Sequence, residues 1–183
     1  ARAQELWLAT QDLIGKYQVA LGSDELPEAA LGWLHARRLS LATAESCTGG
    51  RVAAALTSLA GASAYFKEGM VTYSNQAKTR QLGVPLELLE AHGAVSPEVA
   101  RAMAQGARAQ ANADLGLGIT GIAGPGGGSP EKPVGLVYLT LAGPGPDDLL
   151  ELERRYPGTR TLVQTRATAG ALGLLVRSLA GGG

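Results

Sequence analysis

The segment from residue 39 to residue 59 constrains the fold more than any other, because two periodicities meet inside it. Residues 39–44 (Leu-Ser-Leu-Ala-Thr-Ala) are short, apolar and alternating, which predicts a β-strand. From about Thr48 to Leu59, apolar side chains recur at the spacing of an amphipathic helix. The string 45–50, Glu-Ser-Cys-Thr-Gly-Gly, therefore lies on a strand-to-helix turn. Such turns are typical of folds in which helices cover a sheet.

Predicted helices and strands alternate along the rest of the chain. Strands are predicted at residues 68–74, 114–120, 134–142 and 149–156, and helices at 3–20, 75–81, 85–91, 96–112 and 161–179, with one more after Ser23 and Asp24. Asn75 is expected to cap the helix that follows it. The fold class we predict is α/β, with a mostly parallel sheet, a mixed edge and helices on both faces. We expect residues 1–23 to be an appended helix or linker remnant, and residues 24–183 to form the domain.

Length and charge narrow the range of functions. A chain of 183 residues is long enough for one hydrophobic core, and its 16 basic and 16 acidic side chains cancel, unlike those of most nucleic-acid binders. The sequence contains no run of about 20 apolar residues that could span a membrane, and no secretion signal is visible.

A single cysteine, Cys47, cannot form an internal disulfide, which favours a cytoplasmic location. His35, His92 and Cys47 are too scattered for a structural zinc site, and no metal or other cofactor is expected.

Polar and glycine-rich segments follow the predicted strands. In open α/β sheets, ligands bind beyond the carboxyl ends of the strands. The segments 45–50, 73–78, 120–128 and 158–160 should meet on one rim of the sheet if its strands are parallel there.

Ser46 and Lys78 are the candidate nucleophile and base. At a helix N-terminus, free N–H groups and the helix dipole would stabilise an alkoxide or oxyanion near Ser46, and Gly49 and Gly50 would let a substrate approach the backbone. The alternative is that Ser46 or Thr48 only caps the helix. A lysine that is shielded from water loses basicity and can deprotonate a serine, and the sequence shows no Ser/His/Asp set. The alternative for Lys78 is a solvated helix lysine.

The glycine-rich run at residues 121–128 is a candidate anion-binding loop. It lacks the GK[ST] of a P-loop and is too long for a dinucleotide fingerprint, but its amides could hold a phosphate or an oxyanion. The alternative is a plain surface loop. Lys132 and Arg160 are nearby cations that could meet a phosphate, although each is otherwise an ordinary surface charge. His92, beside Gly93, is more typical of a helix end than of a catalyst.

Four separated strings together resemble one family. They are residues 44–50 (Ala-Glu-Ser-Cys-Thr-Gly-Gly), residues 69–78 (Gly-Met-Val-Thr-Tyr-Ser-Asn-Gln-Ala-Lys), residues 92–96 (His-Gly-Ala-Val-Ser), and residues 120–125 (Thr-Gly-Ile-Ala-Gly-Pro) with residues 132–135 (Lys-Pro-Val-Gly). In this order they are similar to the CinA C-terminal domain, also known as PncC, the nicotinamide mononucleotide amidase. The resemblance covers about residues 24–180.

The resemblance implies a three-layer α/β/α domain that dimerises and converts nicotinamide mononucleotide to nicotinate mononucleotide and ammonia, in pyridine nucleotide salvage and without a metal. The family's serine nucleophile matches Ser46, its general base matches Lys78 and its assisting tyrosine matches Tyr73. An arginine near the substrate phosphate falls on Arg160. The other substrate-binding residues expected are Thr48, Gly49, Gly50, Thr120, Gly121, Ala123 and Gly124.

The resemblance also implies an N-terminal partner domain and leaves an alternative function open. Residues 1–22 would be the end of a linker in larger two-part CinA proteins, whose N-terminal part resembles molybdopterin-binding domains. The alternative function is an inactive domain that binds a nucleotide or that N-terminal part. The presence of Ser46, Tyr73 and Lys78 together favours the enzyme, because a binding module needs none of them.

Overall fold

The computed structural model describes residues 25–145 and 147–181. The predicted helix at residues 3–20 and the predicted boundary at residue 24 lie outside the described residues. The helices are α1 (Glu25–Arg37), α2 (Arg51–Thr57), α3 (Asn75–Leu82), α4 (Leu86–His92), α5 (Pro97–Gln110) and α6 (Arg160–Gly181), with a short 3₁₀ turn at Ala62–Ala64. The strands are β1 (Leu41–Glu45), β2 (Phe66–Val71), β3 (Leu115–Gly121), β4 (Leu136–Ala142) and β5 (Leu149–Arg155).

The five strands form one sheet in the order β2-β1-β3-β4-β5. The strands β2, β1 and β3 are parallel neighbours, whereas β4 is antiparallel to both β3 and β5. The predicted α/β class and mixed edge are therefore confirmed. Apolar side chains of α1, α2 and α6 pack on one face of the sheet, and those of α3, α4 and α5 pack on the other. None of the helices in the described part of the chain is long and apolar enough to cross a membrane.

Two local predictions need correction. The helix α2 begins at Arg51 and not at Thr48, because Gly49 and Gly50 adopt left-handed backbone angles, with φ of 64° and 92°, that an α-helix does not use. The helix α3 is capped by Ser74 and not by Asn75. Ser74 has the extended conformation of an N-cap, and its hydroxyl accepts a 3.1 Å hydrogen bond from the Ala77 N–H.

Glycines in β3 allow α5 to pack closely on the sheet. A Cβ atom at Gly118 would lie 2.3 Å from the Ala100 carbonyl oxygen, and one at Gly116 would lie 2.0 Å from the Ala104 carbonyl oxygen. Ala100 and Ala104 are themselves fully buried. The alternating Leu-Gly pattern of β3 thus sets the distance between this layer of helices and the sheet, and with it the position of the strand ends.

Gly118→Ala is expected to lower the free energy of unfolding by about 1–3 kcal/mol, because the added methyl group overpacks a rigid backbone contact. Gly32→Ala is the matched control, since Gly32 lies inside α1 with open space around it. That change should raise stability by up to about 1 kcal/mol, the difference in helix propensity. Urea unfolding followed by circular dichroism measures both. Equal effects of the two substitutions would contradict the close packing at β3.

Candidate active site

A pocket of about 260 Å³ lies beyond the carboxyl ends of β1 and β3. The chain passes from β1 to β2 on one side and later reaches β3 on the other, so the pocket lies where the direction of strand order switches. Open α/β sheets bind ligands at such a point. All four segments predicted to meet contribute to its lining, together with residues 94 and 95. The lining residues are Ser46, Cys47, Tyr73, Lys78, Ala94, Val95, Thr120, Gly121, Ile122, Ala123, Gly124, Gly126, Gly127 and Arg160.

A larger groove of about 420 Å³ lies between α1, α2 and α6, away from the strand ends. Its charged lining residues are Glu28 and Arg51, and no buried ionisable side chain faces it. The smaller pocket is the candidate site because it combines a buried serine with a buried lysine.

Ser46 is the first residue after β1, and the sheet holds its backbone in place. Its N–H donates a 3.0 Å hydrogen bond to the carbonyl oxygen of Ile119 on β3. The residue is 9% exposed and lines the pocket. Its Oγ lies 3.2 Å from the Nζ of Lys78. The structure thus brings the predicted nucleophile and the predicted base into hydrogen-bond distance.

Lys78 lies on α3 and is only 1% exposed. Its Nζ donates a 2.8 Å hydrogen bond to the Thr72 carbonyl oxygen and lies 3.5 Å from the Tyr73 carbonyl oxygen. Burial lowers the pKa of the Lys78 ammonium below the usual value for a lysine, because the charged form loses its hydration. With two N–H groups directed at backbone carbonyls, a neutral amine would direct its lone pair at Ser46.

The carboxylate of Glu45 occupies the start of α2. One oxygen accepts hydrogen bonds from the N–H groups of Gly50 (3.0 Å) and Val52 (3.2 Å), and the other accepts one from Ala53 (2.8 Å). The expectation that the first N–H groups of this helix are free for an oxyanion is therefore wrong for these three. Sequence reasoning assigned no role to Glu45, although an acid a few residues before a predicted helix is a signal that could have found it, because a carboxylate favours the positive end of a helix.

Cys47 is buried and not poised as a nucleophile. It is 4% exposed, and burial raises the pKa of its thiol to about 12, so the neutral thiol is the stable form. Its carbonyl oxygen accepts a 2.9 Å hydrogen bond from the Nε2 of Gln164 on α6. Sequence reasoning missed Gln164, because nothing in the local pattern of a helix identifies a contact 117 residues away.

Arg160 and Tyr73 meet at the pocket. The guanidinium group of Arg160, the first residue of α6, donates to the Gly124 carbonyl oxygen at 2.9 Å and to the Tyr73 hydroxyl at 2.8 Å. Tyr73 is 60% exposed. Among the described residues, no hydrogen bond joins the Tyr73 hydroxyl to Ser46 or Lys78. The assisting role of Tyr73 stays a prediction.

The other predicted site residues divide into two groups. Gly121, Ala123 and Gly124 line the pocket with Thr120, whose hydroxyl donates a 2.7 Å hydrogen bond to the Ala94 carbonyl oxygen. Thr48, Gly49 and Gly50, all of them described, do not line it.

Lys132 and His92 lie together outside the pocket lining. The Lys132 ammonium donates a 2.6 Å hydrogen bond to the carbonyl oxygen of His92, at the end of α4. Within residues 25–145 and 147–181, no three His, Cys, Asp or Glu side chains are close enough to hold a metal ion.

Comparison with known proteins identifies the family. The sequence profile of the CinA C-terminal domain matches residues 23–179, and the chain belongs to this family. A CinA-like protein of Anaeromyxobacter sp. (strain K) is 51% identical over 175 residues, which cover 96% of this chain and 42% of that protein. The chain therefore spans less than half the length of this relative.

Solved structures of relatives share the fold. The competence/damage inducible protein CihA from Agrobacterium tumefaciens is 44% identical, with a TM-score of 0.82 over 86% of this chain and 94% of that chain. The competence damage-inducible protein A (ComA) from Klebsiella pneumoniae is 36% identical, with a TM-score of 0.85 over 89% of this chain and 100% of that chain.

Proposed function

We propose that this CinA domain is an amidase that hydrolyses nicotinamide mononucleotide to nicotinate mononucleotide and ammonia. The observation that carries the reaction class is the buried Lys78 amine, 3.2 Å from the Ser46 hydroxyl in a pocket at the strand ends. The choice of substrate rests on the resemblance of the four sequence strings to the nicotinamide mononucleotide amidases.

The first half of the reaction forms an acyl-enzyme. Neutral Lys78 takes the proton of the Ser46 hydroxyl as Oγ attacks the carboxamide carbon, and the carbonyl π electrons move to oxygen. The tetrahedral oxyanion then collapses and breaks the C–N bond. The leaving nitrogen takes the proton back from the Lys78 ammonium and departs as ammonia, which leaves an ester on Ser46.

The second half returns the enzyme to its starting state. Lys78, neutral again, takes a proton from a water molecule that attacks the ester carbon. Collapse of the second tetrahedral intermediate breaks the bond to Oγ, which recovers the proton from Lys78. The carboxylic acid that is formed gives its proton to ammonia or to solvent, and nicotinate mononucleotide leaves with its carboxylate. No cofactor enters the balance.

The end of the pocket at Arg160 fits the substrate phosphate. Arg160 carries a permanent positive charge and stands at the N-terminus of the 22-residue helix α6, whose dipole also favours an anion. Nearby lie the N–H groups of residues 123, 124, 126 and 127, which have no acceptor among the described residues. The start of α2 is less suitable, since Glu45 already occupies it.

The proposed assembly follows from the same resemblance. We expect the domain to act as a homodimer and, where it is part of a longer CinA chain, beside an N-terminal part. Size-exclusion chromatography with light scattering measures whether the domain is a dimer.

Ser46→Ala is expected to abolish ammonia release from nicotinamide mononucleotide, whereas Cys47→Ala should keep most of it, because the buried Cys47 thiol stays protonated. A coupled ammonia assay measures both variants. The reverse pattern would make Cys47 the nucleophile. A wild-type protein that binds the nucleotide and releases no ammonia would favour the inactive binding domain.

The value of kcat should rise with pH as Lys78 loses its proton around its lowered pKa. The reason is that only the neutral amine of Lys78 can accept the Ser46 proton, and the neutral fraction grows as pH rises. Lys78→Arg retains the charge but not the base, so kcat should fall by about 10²–10⁴. Initial rates across a pH series measure both effects. A Lys78→Arg variant with near-native kcat would reduce the role of Lys78 to electrostatics.

Arg160→Ala should lower kcat/KM for nicotinamide mononucleotide about 10- to 100-fold more than kcat/KM for nicotinamide riboside, which lacks the phosphate. Comparing kcat/KM for the two substrates cancels general damage to the fold. Lys132→Met is the matched control, since the Lys132 ammonium lies on the His92 carbonyl outside the pocket lining. Equal losses on both substrates for Arg160→Ala would mean that Arg160 is structural.

A further inference from the structure

Two consecutive peptide groups after Ser46 are held by their carbonyl oxygens. The Ser46 carbonyl oxygen accepts a 3.2 Å hydrogen bond from the Gly49 N–H, and the Cys47 carbonyl oxygen accepts a 2.9 Å hydrogen bond from Gln164 Nε2. A trans peptide is planar, so fixing its C=O also fixes the direction of the N–H on its opposite side. The N–H groups concerned are those of Cys47 and Thr48, and neither donates a hydrogen bond to another residue in the described part of the chain.

Free consecutive N–H groups directly after a nucleophile are suited to an oxyanion. Successive backbone N–H groups in a turn form a concave site for negative charge. Donors held in place before the reaction cost no reorganisation when the charge develops. Because Glu45 takes the donors at the start of α2, the N–H groups of Cys47 and Thr48 are the ones left in this turn.

The orientation of Gln164 is fixed at both ends of its amide. Its Oε1 accepts a 3.2 Å hydrogen bond from the guanidinium of Arg51, and its Nε2 is thereby directed at Cys47. Gln164 follows Arg160 by four residues, so both lie on the same side of α6. The first turns of α6 therefore contact the pocket through Arg160 and the turn after Ser46 through Gln164.

We infer that Gln164 is a positioning residue for this reaction: it holds the Cys47–Thr48 peptide in the turn, so that the N–H group of Cys47, which lines the pocket, stays aligned for the oxyanion. The inference rests on the proposed amide hydrolysis at Ser46. Gln164 acts through the backbone and does not touch the substrate, so its loss should lower kcat and leave KM nearly unchanged.

The test compares Gln164→Glu and Gln164→Ala with Thr165→Ala. Glutamate keeps the shape and the acceptor for Arg51 but replaces the donor with a carboxylate that repels the Cys47 carbonyl oxygen. Thr165 is the matched control, since it is the next residue of α6 and lines the groove away from the pocket. Both Gln164 variants should lose about 10- to 100-fold in kcat, the cost of a misplacement of about 1 Å, with KM within about threefold. The Thr165→Ala variant should stay near wild type.

The pH profile separates positioning from loss of the base. Lys78 is held by Thr72 and Tyr73 and not by Gln164, so the Gln164→Ala variant, which adds no charge, should keep the wild-type rise of kcat with pH. Gln164 variants with kcat within twofold of wild type would overturn the inference. So would a loss of kcat that is matched by Thr165→Ala, or a loss in Gln164→Ala that comes with a shifted pH profile.

A fluorophosphonate probe makes the result independent of the substrate. Ser46 Oγ displaces fluoride from phosphorus, its proton passes to Lys78, and the phosphoryl oxygen occupies the place of the oxyanion. Labelling measured by intact mass should be slower in both Gln164 variants than in wild type. Slower labelling in a protein that does not hydrolyse nicotinamide mononucleotide would support the inference and reject the proposed substrate. Equal labelling rates in all variants would overturn the inference. A wild-type protein that is not labelled at Ser46 and releases no ammonia would overturn both proposals.

Discussion

The buried carboxylate of Glu45 is the interaction on which the geometry of the candidate site depends. It stands at the end of β1 and accepts three N–H groups at the start of α2, so the strand and the helix are held at a fixed separation. These donors would otherwise be unpaired in a buried or partly buried place, and the negative charge lies at the positive end of the helix. The turn that carries Ser46 is therefore closed on one side by Glu45, and Gln164 ties it on the other.

Burial of Lys78 destabilises the fold, whereas the hydrogen bonds of Glu45 stabilise it. The pKa of Lys78 is lower in the folded state than in the unfolded chain, so below the folded pKa the full cost of a buried charge is present. That cost declines as pH rises through the folded pKa towards the ordinary value for lysine. The Thr72 carbonyl oxygen offsets part of it with a hydrogen bond. A base shielded from water and a less stable fold are two consequences of the same desolvation.

The order of the sheet explains why distant residues meet. Because β1 lies between β2 and β3, the segments that follow all three strands converge on one rim, and α6 returns to that rim with Arg160 at its start. The Leu-Gly alternation of β3 keeps α5 close to the sheet, and the Thr120 hydroxyl fixes the Ala94 carbonyl beside the pocket. The wall of the site is thus a consequence of how tightly the layers pack.

The sequence by itself determined the α/β class, most of the helices and strands, and Ser46 and Lys78 as candidates, because periodicity and local strings carry that information. It did not determine the start of α2, where left-handed glycines and the Glu45 carboxylate override the helical pattern. Only the tertiary structure decided the contact of Gln164 with Cys47, 117 residues away, and of Arg160 with Tyr73, 87 residues away. It also decided the basicity of Lys78, because desolvation depends on the neighbours that packing brings around a side chain and not on its place in the chain.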